Sequence, residues 1–287
     1  MTRNVSNVPQ RKCTLCLHER PETLYQGSST TCAYCEADKR TNNEFAIKKR
    51  RRESPEMVQK AVEEKARSDE HLTEAQKKAK ETLAIRQLSR RRLLPFVEQS
   101  KPRYLAGWVH KDICQRLERF EQDVLAQKSP RLMLFMPPRH GKSQIASIDF
   151  PAWFLGRNPE LEIIASSYSA SLAVGFSRKV RAQLRSPEYH AIFPKAHLDP
   201  DAQSADGWAL LEGGGYVPAG VNGPVTGKGA HVFIIDDPVS EQDALSPTAM
   251  DAVYEWYTSG PRQRLQPGGI IVIVMTRWST KDLVGKV

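Results

Sequence analysis

No run of about 18 apolar residues occurs in the chain, which excludes a membrane-spanning helix, and no membrane partner is expected. The opening Met1-Thr2-Arg3-Asn4-Val5-Ser6 has no apolar core behind it, so a cytoplasmic location is expected rather than secretion. Acidic residues are in deficit: 33 Asp and Glu stand against 42 Lys and Arg, a formal net charge of +9. The deficit is local, because residues 1–131 carry +10 and residues 132–287 carry −1. That asymmetry points to a polyanion held near the N-terminal part, or to a solvated helical face or basic arm. Cysteine is scarce, five in 287 residues, yet four of the five lie close together. The length and the 40% hydrophobic content suit one large domain or two smaller ones with an ample core.

The four clustered cysteines, Cys13-x2-Cys16-x15-Cys32-x2-Cys35, have the spacing of a four-thiolate Zn²⁺ site. Each Cys-x-x-Cys pair can lie on a tight turn that aims two sulfurs at one metal, and Gly27-Ser28-Ser29-Thr30 lets the chain fold back. Residues 1–40 are too few for an adequate apolar core, so the metal would supply folding free energy. Two disulfides are the alternative, but nothing else in the chain reads as secreted. Lys12, Arg20, Lys39 and Arg40 suit contact with nucleic acid, His18 reads as a surface residue, and Cys114 reads as a core thiol.

Residues 41–92 are charged and rich in helix formers, with thin apolar content, and read as a charged helical linker. Pro55 either breaks it or opens a second helix with Ser54 as N-cap. The runs Lys48–Arg52 and Arg90-Arg91-Arg92 could grip phosphates or face solvent. From Leu93 aromatics and helical periodicity appear, marking entry into a folded core over 93–287. Tyr104, His110 and Gln115 are candidate contacts for an adenine ring, with packing as the competing role.

The apolar run Leu132-Met133-Leu134-Phe135 leads into Met136-Pro137-Pro138-Arg139-His140-Gly141-Lys142-Ser143, and Gln144-Ile145-Ala146-Ser147-Ile148 can then start a helix. Strand, tight loop, Gly-Lys-Ser and helix is the arrangement that holds a nucleoside triphosphate by its phosphates. Lys142 would lie against the β- and γ-phosphates and Ser143 would ligand Mg²⁺. Pro138 would shape the loop, and backbone N–H groups of Arg139, His140, Gly141 and Gln144 would cradle the anion. Met136 stands where such loops usually carry their first glycine.

Val232-Phe233-Ile234-Ile235-Asp236-Asp237 supplies the complement, two carboxylates at the end of an apolar strand. Asp236 would hold the Mg²⁺ shell and Asp237 would orient or deprotonate the attacking water, with Glu241 as a competing base. A further strand, Gly269 to Met275, ends in Thr276-Arg277-Trp278. Thr276 is suited to sensing the γ-phosphate, and Arg277 to neutralising phosphate charge or bridging to a neighbouring element. Leu161 to Tyr168 reads as a strand and Ser169 to Leu184 as a helix burying Leu172, Val174, Phe176 and Val180. Gly213-Gly214-Gly215 reads as the turn of a hairpin, and Gly220, Gly223, Gly227 and Gly229 as a mobile loop. The alternation predicts an α/β fold, a P-loop NTPase of RecA-like type with a mostly parallel sheet flanked by helices.

These residues together resemble the ATPase domain of the large terminase subunit of tailed bacteriophages, over about residues 93–287. The resemblance is carried by Tyr104 to Trp108, Pro137 to Ser143, Ser167-Tyr168-Ser169-Ala170, Thr226-Gly227, Ile235-Asp236-Asp237-Pro238, Thr276-Arg277-Trp278 and Asp282-Leu283. It implies a motor that hydrolyses ATP with Mg²⁺ and drives double-stranded DNA into a procapsid, as a homo-oligomeric ring, commonly a pentamer, on the portal protein. A small terminase subunit would recognise the viral DNA. It implies a host-cytoplasmic protein that visits the procapsid and is absent from the mature virion. In that pattern Asp237 takes the place of the catalytic carboxylate, usually Glu, Arg139 contacts the γ-phosphate, and Thr276 couples hydrolysis to movement. Family members usually continue into a nuclease domain, so a chain stopping at Val287 is expected to lack cutting activity. The zinc module and linker are not general family features and read as accessory elements. Two other classes compete. A superfamily-2-type helicase or repair ATPase needs a different acidic box and a second RecA-like domain. A non-catalytic zinc-containing DNA-binding protein would not need Lys142, Ser143, Asp236 and Asp237.

Overall fold

The computed structural model describes residues 10–15, 17–21, 23, 30–33, 35, 53–69, 72–223 and 229–287. The chain forms two compact units, Met1–Lys80 and Glu81–Val287. In the first, strands β1 (Gln10–Lys12) and β2 (Glu19–Pro21) pair antiparallel. Helix α1 (Pro55–Asp69) starts where Ser54 Oγ accepts the Met57 N–H at 3.4 Å, so Ser54-Pro55 opens a helix rather than breaking one. Helix α2 (Glu74–Arg91) follows. Of the expected phosphate-gripping runs, Lys48–Arg52 lies outside the described residues. Within the second unit Arg90 Nε donates to Ile192 O at 2.6 Å and Arg92 Nε to Glu118 at 2.7 Å, so these two are used inside the fold.

The second unit is built on a seven-stranded sheet. Its strands are β3 (Arg131–Phe135), β4 (Glu162–Ser167), β5 (Leu198–Gln203), β6 (Trp208–Leu210), β7 (Gly215–Gly220), β8 (Ala230–Asp236) and β9 (Leu265–Met275). Their spatial order is β3-β9-β8-β4-β7-β6-β5. The first five in that order are mutually parallel, and β6 and β5 close the far edge antiparallel. The mostly parallel sheet explains why β8 and β9 read as continuous apolar runs: helices cover both faces, so neither face alternates with solvent.

On one face lie α3 (Leu93–Ser100), α4 (Trp108–Leu125), α5 (Phe150–Arg157) and α6 (Ala170–Leu184). They pack Phe96, Leu117, Trp153, Phe154 and Phe176 against Ile163, Val232, Ile234, Val272 and Val274. On the other, Val253, Trp256 and Tyr257 of α8 (Pro247–Ser259) and Leu283 of α9 (Leu283–Lys286) cover Ile164, Phe233, Ile235, Ile271 and Ile273. Between α6 and β5 runs the short α7 (Pro187–Ile192). Ser-Pro starts recur there and at α8, where Ser186 Oγ accepts the Tyr189 N–H and Ser246 Oγ the Ala249 N–H. In α6 the buried stripe is Ala173, Phe176, Ser177, Val180 and Leu184, while Leu172 and Val174 are half-buried. The Ser169 cap starts the helix at Ala170 and the sheet takes the 173–176–180–184 face.

The hairpin expected at Gly213-Gly214-Gly215 forms, with Trp208 opposite Tyr216 and their rings stacked 5.4 Å apart. Residues 224–228, including Thr226-Gly227 of the loop read as mobile, lie outside the described residues. Gly214 is required by a close approach: its N–H donates to Pro159 O, and a Cβ there would lie 2.3 Å from Pro159 O and 2.4 Å from Leu161 O. Backbone cannot yield as a flexible side chain can, so Gly214→Ala is expected to cost about 1–3 kcal/mol of stability. All five tryptophans lie in the second unit, so urea unfolding followed by tryptophan fluorescence reads this directly. An unchanged midpoint would show that the hairpin can shift off β4.

Candidate functional site

The carboxyl ends of β3, β9, β8 and β4 are neighbours, and the loop leaving β3 crosses above them. That loop turns sharply, because Arg139 and Gly141 both have positive φ, 62° and 80°. For Gly141 this is inexpensive; for Arg139 it is a strained conformation costing roughly 1–2 kcal/mol. Lys142 and Ser143 are already helical. The helix runs as a π-helix over Gln144–Asp149 before becoming α5. Pro151 has no N–H to return to the preceding turn, and the Phe150 N–H bonds Ile145 O instead, which widens the helix.

Asp236, at the end of β8, is 2% exposed. Its two oxygens are held by hydroxyls from the helix that follows the loop: Ser143 Oγ donates to Oδ1 at 3.0 Å and Ser147 Oγ to Oδ2 at 2.5 Å. The neighbouring Asp237 has φ 43° and turns its carboxylate back over the strand ends. There Lys142 Nζ lies 3.0 Å from Oδ2, while the Thr276 N–H donates to Oδ1 at 2.9 Å. Thr276 Oγ1 also donates to Met136 O at 3.4 Å, so the tip of β9 touches both the start of the loop and the carboxylate that holds its lysine.

The remaining candidates have separate places. Pro138, Arg139 and His140 are exposed on the loop, with the His140 ring donating to Pro138 O at 2.8 Å. The Gln144 side chain turns away into a buried cluster, donating to Asp149, which also receives Gln183 Nε2 and pairs with Lys101. Arg277 is engaged in its own turn by Asp282 Oδ2 at 2.8 Å and Ser279 O at 3.0 Å. Burial would raise the Asp282 carboxyl, but the Arg277 hydrogen bond and the N–H groups of Gly285, Trp278 and Ser279 outweigh it and hold it below the usual range. Glu241 is exposed.

His110 underpins the loop. Its Nδ1 accepts the Gly107 N–H at 3.0 Å, which leaves the proton on Nε2 to donate to His140 O at 3.1 Å. Tyr104 packs edge-on against His110, and Gln115 is exposed on α4. Ser147 was not among the expected site residues, although Ser143 and Ser147 at i and i+4 share one helix face.

In the first unit the sulfurs of Cys13, Cys32 and Cys35 lie within 4.8 Å of one another and all three residues are buried. Tetrahedral Zn–S bonds of about 2.3 Å put sulfurs about 3.8 Å apart, so the trio fits a thiolate metal site. The Cys32 N–H donates to Cys13 Sγ at 3.3 Å, the contact expected of a sulfur bearing negative charge. Cys16 lies outside the described residues. None of the four described cysteines forms a disulfide, and Cys114 is a buried core thiol pushed up to about 12, first by burial and then by Glu118.

The fold and site define an α/β protein with a mostly parallel sheet that gathers a buried lysine, two serine hydroxyls and two aspartates at the carboxyl ends of its strands. Residues 133–259 match the family described as "Terminase large subunit, T4likevirus-type, N-terminal". Among solved structures it is similar to the "HK97 bacteriophage large terminase", at 15% identity and a TM-score of 0.39, over 59% of this chain and 34% of that one. The chain therefore spans about a third of that relative's length. No curated protein matches it.

Burial pushes the Asp236 carboxyl up to about 6; Asp237 adds to the push, while Ser147, Ser143 and Lys142 oppose it. A carboxyl raised above its unfolded value of about 4 stabilises the native state while protonated. That contribution is complete below about pH 4 and is lost as pH rises through about 6. Two pH units correspond to about 3 kcal/mol. Without added nucleotide or Mg²⁺, Asp236→Asn is expected to be more stable than the parent at pH 8 by up to that amount, with the gap closing at pH 4. Urea midpoints across pH check it; a gap independent of pH would contradict it.

Proposed function

We propose that the second unit is an ATP-hydrolysing motor domain of a phage large terminase, driving double-stranded viral DNA into the procapsid. The observation that carries this is the chain Lys142–Asp237–Thr276, standing beside the Ser143–Asp236–Ser147 cluster. A lysine buried under a tight loop and paired to a carboxylate, with a second carboxylate held by hydroxyls, is the donor set that a magnesium nucleotide needs. The family match over residues 133–259 supports the same reading.

In this reading the loop backbone around Pro138, His140, Gly141 and Gln144, with Lys142, holds the phosphates, and Arg139 on the exposed loop meets the terminal one. Ser143 and Asp236 hold Mg²⁺, which when bound neutralises phosphate charge and polarises the bond to be broken. Lys142 cannot serve both Asp237 and a phosphate. Nucleotide therefore exchanges the lysine's partner and frees Asp237 Oδ2 to orient or deprotonate the attacking water. Asp237 Oδ1 remains the acceptor of the Thr276 N–H, so a change at the carboxylate is felt at the β9 tip. That tip also reaches Met136 at the start of the loop. Arg277 holds it in shape through Asp282. The working form is a homo-oligomeric ring, a pentamer on the portal, with the small terminase subunit selecting DNA, in the host cytoplasm.

Zn²⁺ held by Cys13, Cys32, Cys35 and Cys16 would brace the first unit. This module, with the basic stretch that follows, forms an accessory DNA-contacting element.

Purified protein with DNA and Mg²⁺ is expected to turn over ATP, and Lys142→Ala to lose both nucleotide binding and turnover; a parent protein with no turnover sinks the reading. Asp237→Asn separates the two roles. It is expected to bind ATP at least as tightly as the parent, because Lys142 loses its competitor, while turnover falls about 10²–10⁴-fold. Weakened ATP binding in this variant would refute the exchange of partners.

Metal analysis is expected to find about one zinc per chain, lost in Cys32→Ala. After chelation Cys13 and Cys35 should alkylate quickly while Cys114 stays slow. Under half a zinc per chain in the untreated protein would remove the metal assignment.

A further inference from the structure

Ser167 ends β4 in line with Asp236. Its Cα is the register partner of Asp236 on one side and of Gly220 on the other, and Asp236's own further neighbour is Val274. Across the strand ends the row is therefore Val274, Asp236, Ser167, Gly220. Side chains alternate along a strand, so Ser167 shares its face with Ile163 and Ala165, and Asp236 with Val232 and Ile234. All four apolar residues belong to the core beneath the loop-borne helix. Ser167 and Asp236 thus stand side by side on the face from which Ser143 and Ser147 reach the carboxylate. Val274 and Gly220, the outer members of the row, offer no polar side chain.

The Ser167 residue is 0% exposed, and its Oγ has no hydrogen-bond partner among the described residues. Both oxygens of Asp236 are already engaged by Ser143 and Ser147. The Ser167 backbone is held firmly, since Val221 N–H donates to Ser167 O at 2.8 Å and Tyr168 N–H to Asp237 O at 3.1 Å. A buried hydroxyl left without a partner costs stability, typically 1–3 kcal/mol, and alanine would fill the same space without that cost. That hydroxyl is therefore available to a group that enters the site.

We propose that Ser167 is a positioning residue for the divalent cation, its hydroxyl hydrogen-bonding a water of the Mg²⁺ shell on the side of Asp236 away from Val274. The proposal rests on the reading of Asp236 and Ser143 as the groups that hold Mg²⁺. The hydroxyl keeps its proton throughout and can donate to or accept from that water as the shell requires. It restrains one shell water, which restrains the cation against the strand ends.

Mn²⁺ is the probe, titrated by electron paramagnetic resonance into protein saturated with ADP. In Ser167→Ala the Mn²⁺ dissociation constant is expected to rise about 3–10-fold, the span of one net hydrogen bond. The Mg²⁺ concentration for half-maximal ATP turnover should rise by the same factor, with KM for ATP at saturating Mg²⁺ unchanged. Ser167→Thr, which keeps the hydroxyl, should restore both. Without metal or nucleotide, Ser167→Ala should unfold at the same temperature as the parent or a higher one. A parent that binds Mn²⁺ with Ser167→Ala matching it overturns the role of Ser167 alone, as does an earlier-melting metal-free Ser167→Ala, which would show that the hydroxyl serves the fold. A parent that neither binds Mn²⁺ with ADP nor turns over ATP overturns the nucleotide reading and this role with it.

Discussion

A carboxylate buried at the end of an apolar strand is the constraint around which the second unit is arranged. Asp236 is taken out of water with Val232 to Ile235, and an ionised group there is unfavourable unless hydrogen bonds and neighbouring cations replace its hydration. The replacement comes from one helix. Ser143 and Ser147, at i and i+4 on one helix face, reach the two carboxylate oxygens at the end of β8. Ser143 is tied in turn to the loop before it. The loop's left-handed residues and the His110 prop beneath His140 therefore set the position of the carboxylate's partners as well as the shape of the loop. The compensation is incomplete, and the raised Asp236 carboxyl records what remains.

Asp237 solves a different problem one residue later. Asp236 points into the core face, and the chain must reverse for Asp237 to address the same site; its positive φ does so. The result is a carboxylate shared between Lys142 and the Thr276 N–H. Loop and β9 tip are therefore linked by two short hydrogen-bonded steps rather than across a long path. Partner exchange at Lys142 is the smallest event that could be transmitted along it.

Much of this was legible beforehand. The apolar runs before Pro137 and Asp236 and before Thr276 became β3, β8 and β9, and the Gly213–Gly215 turn became a hairpin, because strands buried on both faces and glycine-rich reversals leave strong local patterns. The cysteine spacing anticipated the convergence of Cys13, Cys32 and Cys35. Less legible were roles that depend on which side chain faces which. Gln144 follows the Gly-Lys-Ser directly yet its side chain joins Asp149, and Arg277 follows Thr276 at the β9 tip yet is held by Asp282. Arg90 and Arg92 looked like free cations and are bound to Ile192 O and Glu118. Ser147 carried no motif signal, and Ser167 stood within the Ser167–Ala170 stretch without a role of its own; a helix-borne hydroxyl and strand register, respectively, make them neighbours of Asp236.

The sequence by itself determined which segments are strands, where the chain must reverse, and which residue types stand at the strand ends. Those features rest on hydrophobic period and turn chemistry, which are local. Only the tertiary structure decided that β9 lies between β3 and β8, and that choice made the site. Inserting β9 there brings Thr276 against both Met136 and Asp237, and pairing β4 with β8 sets Ser167 beside Asp236. Strand order follows from how the two helical layers bury their apolar faces over the whole sheet, a sum of long-range contacts that no local stretch of the chain encodes.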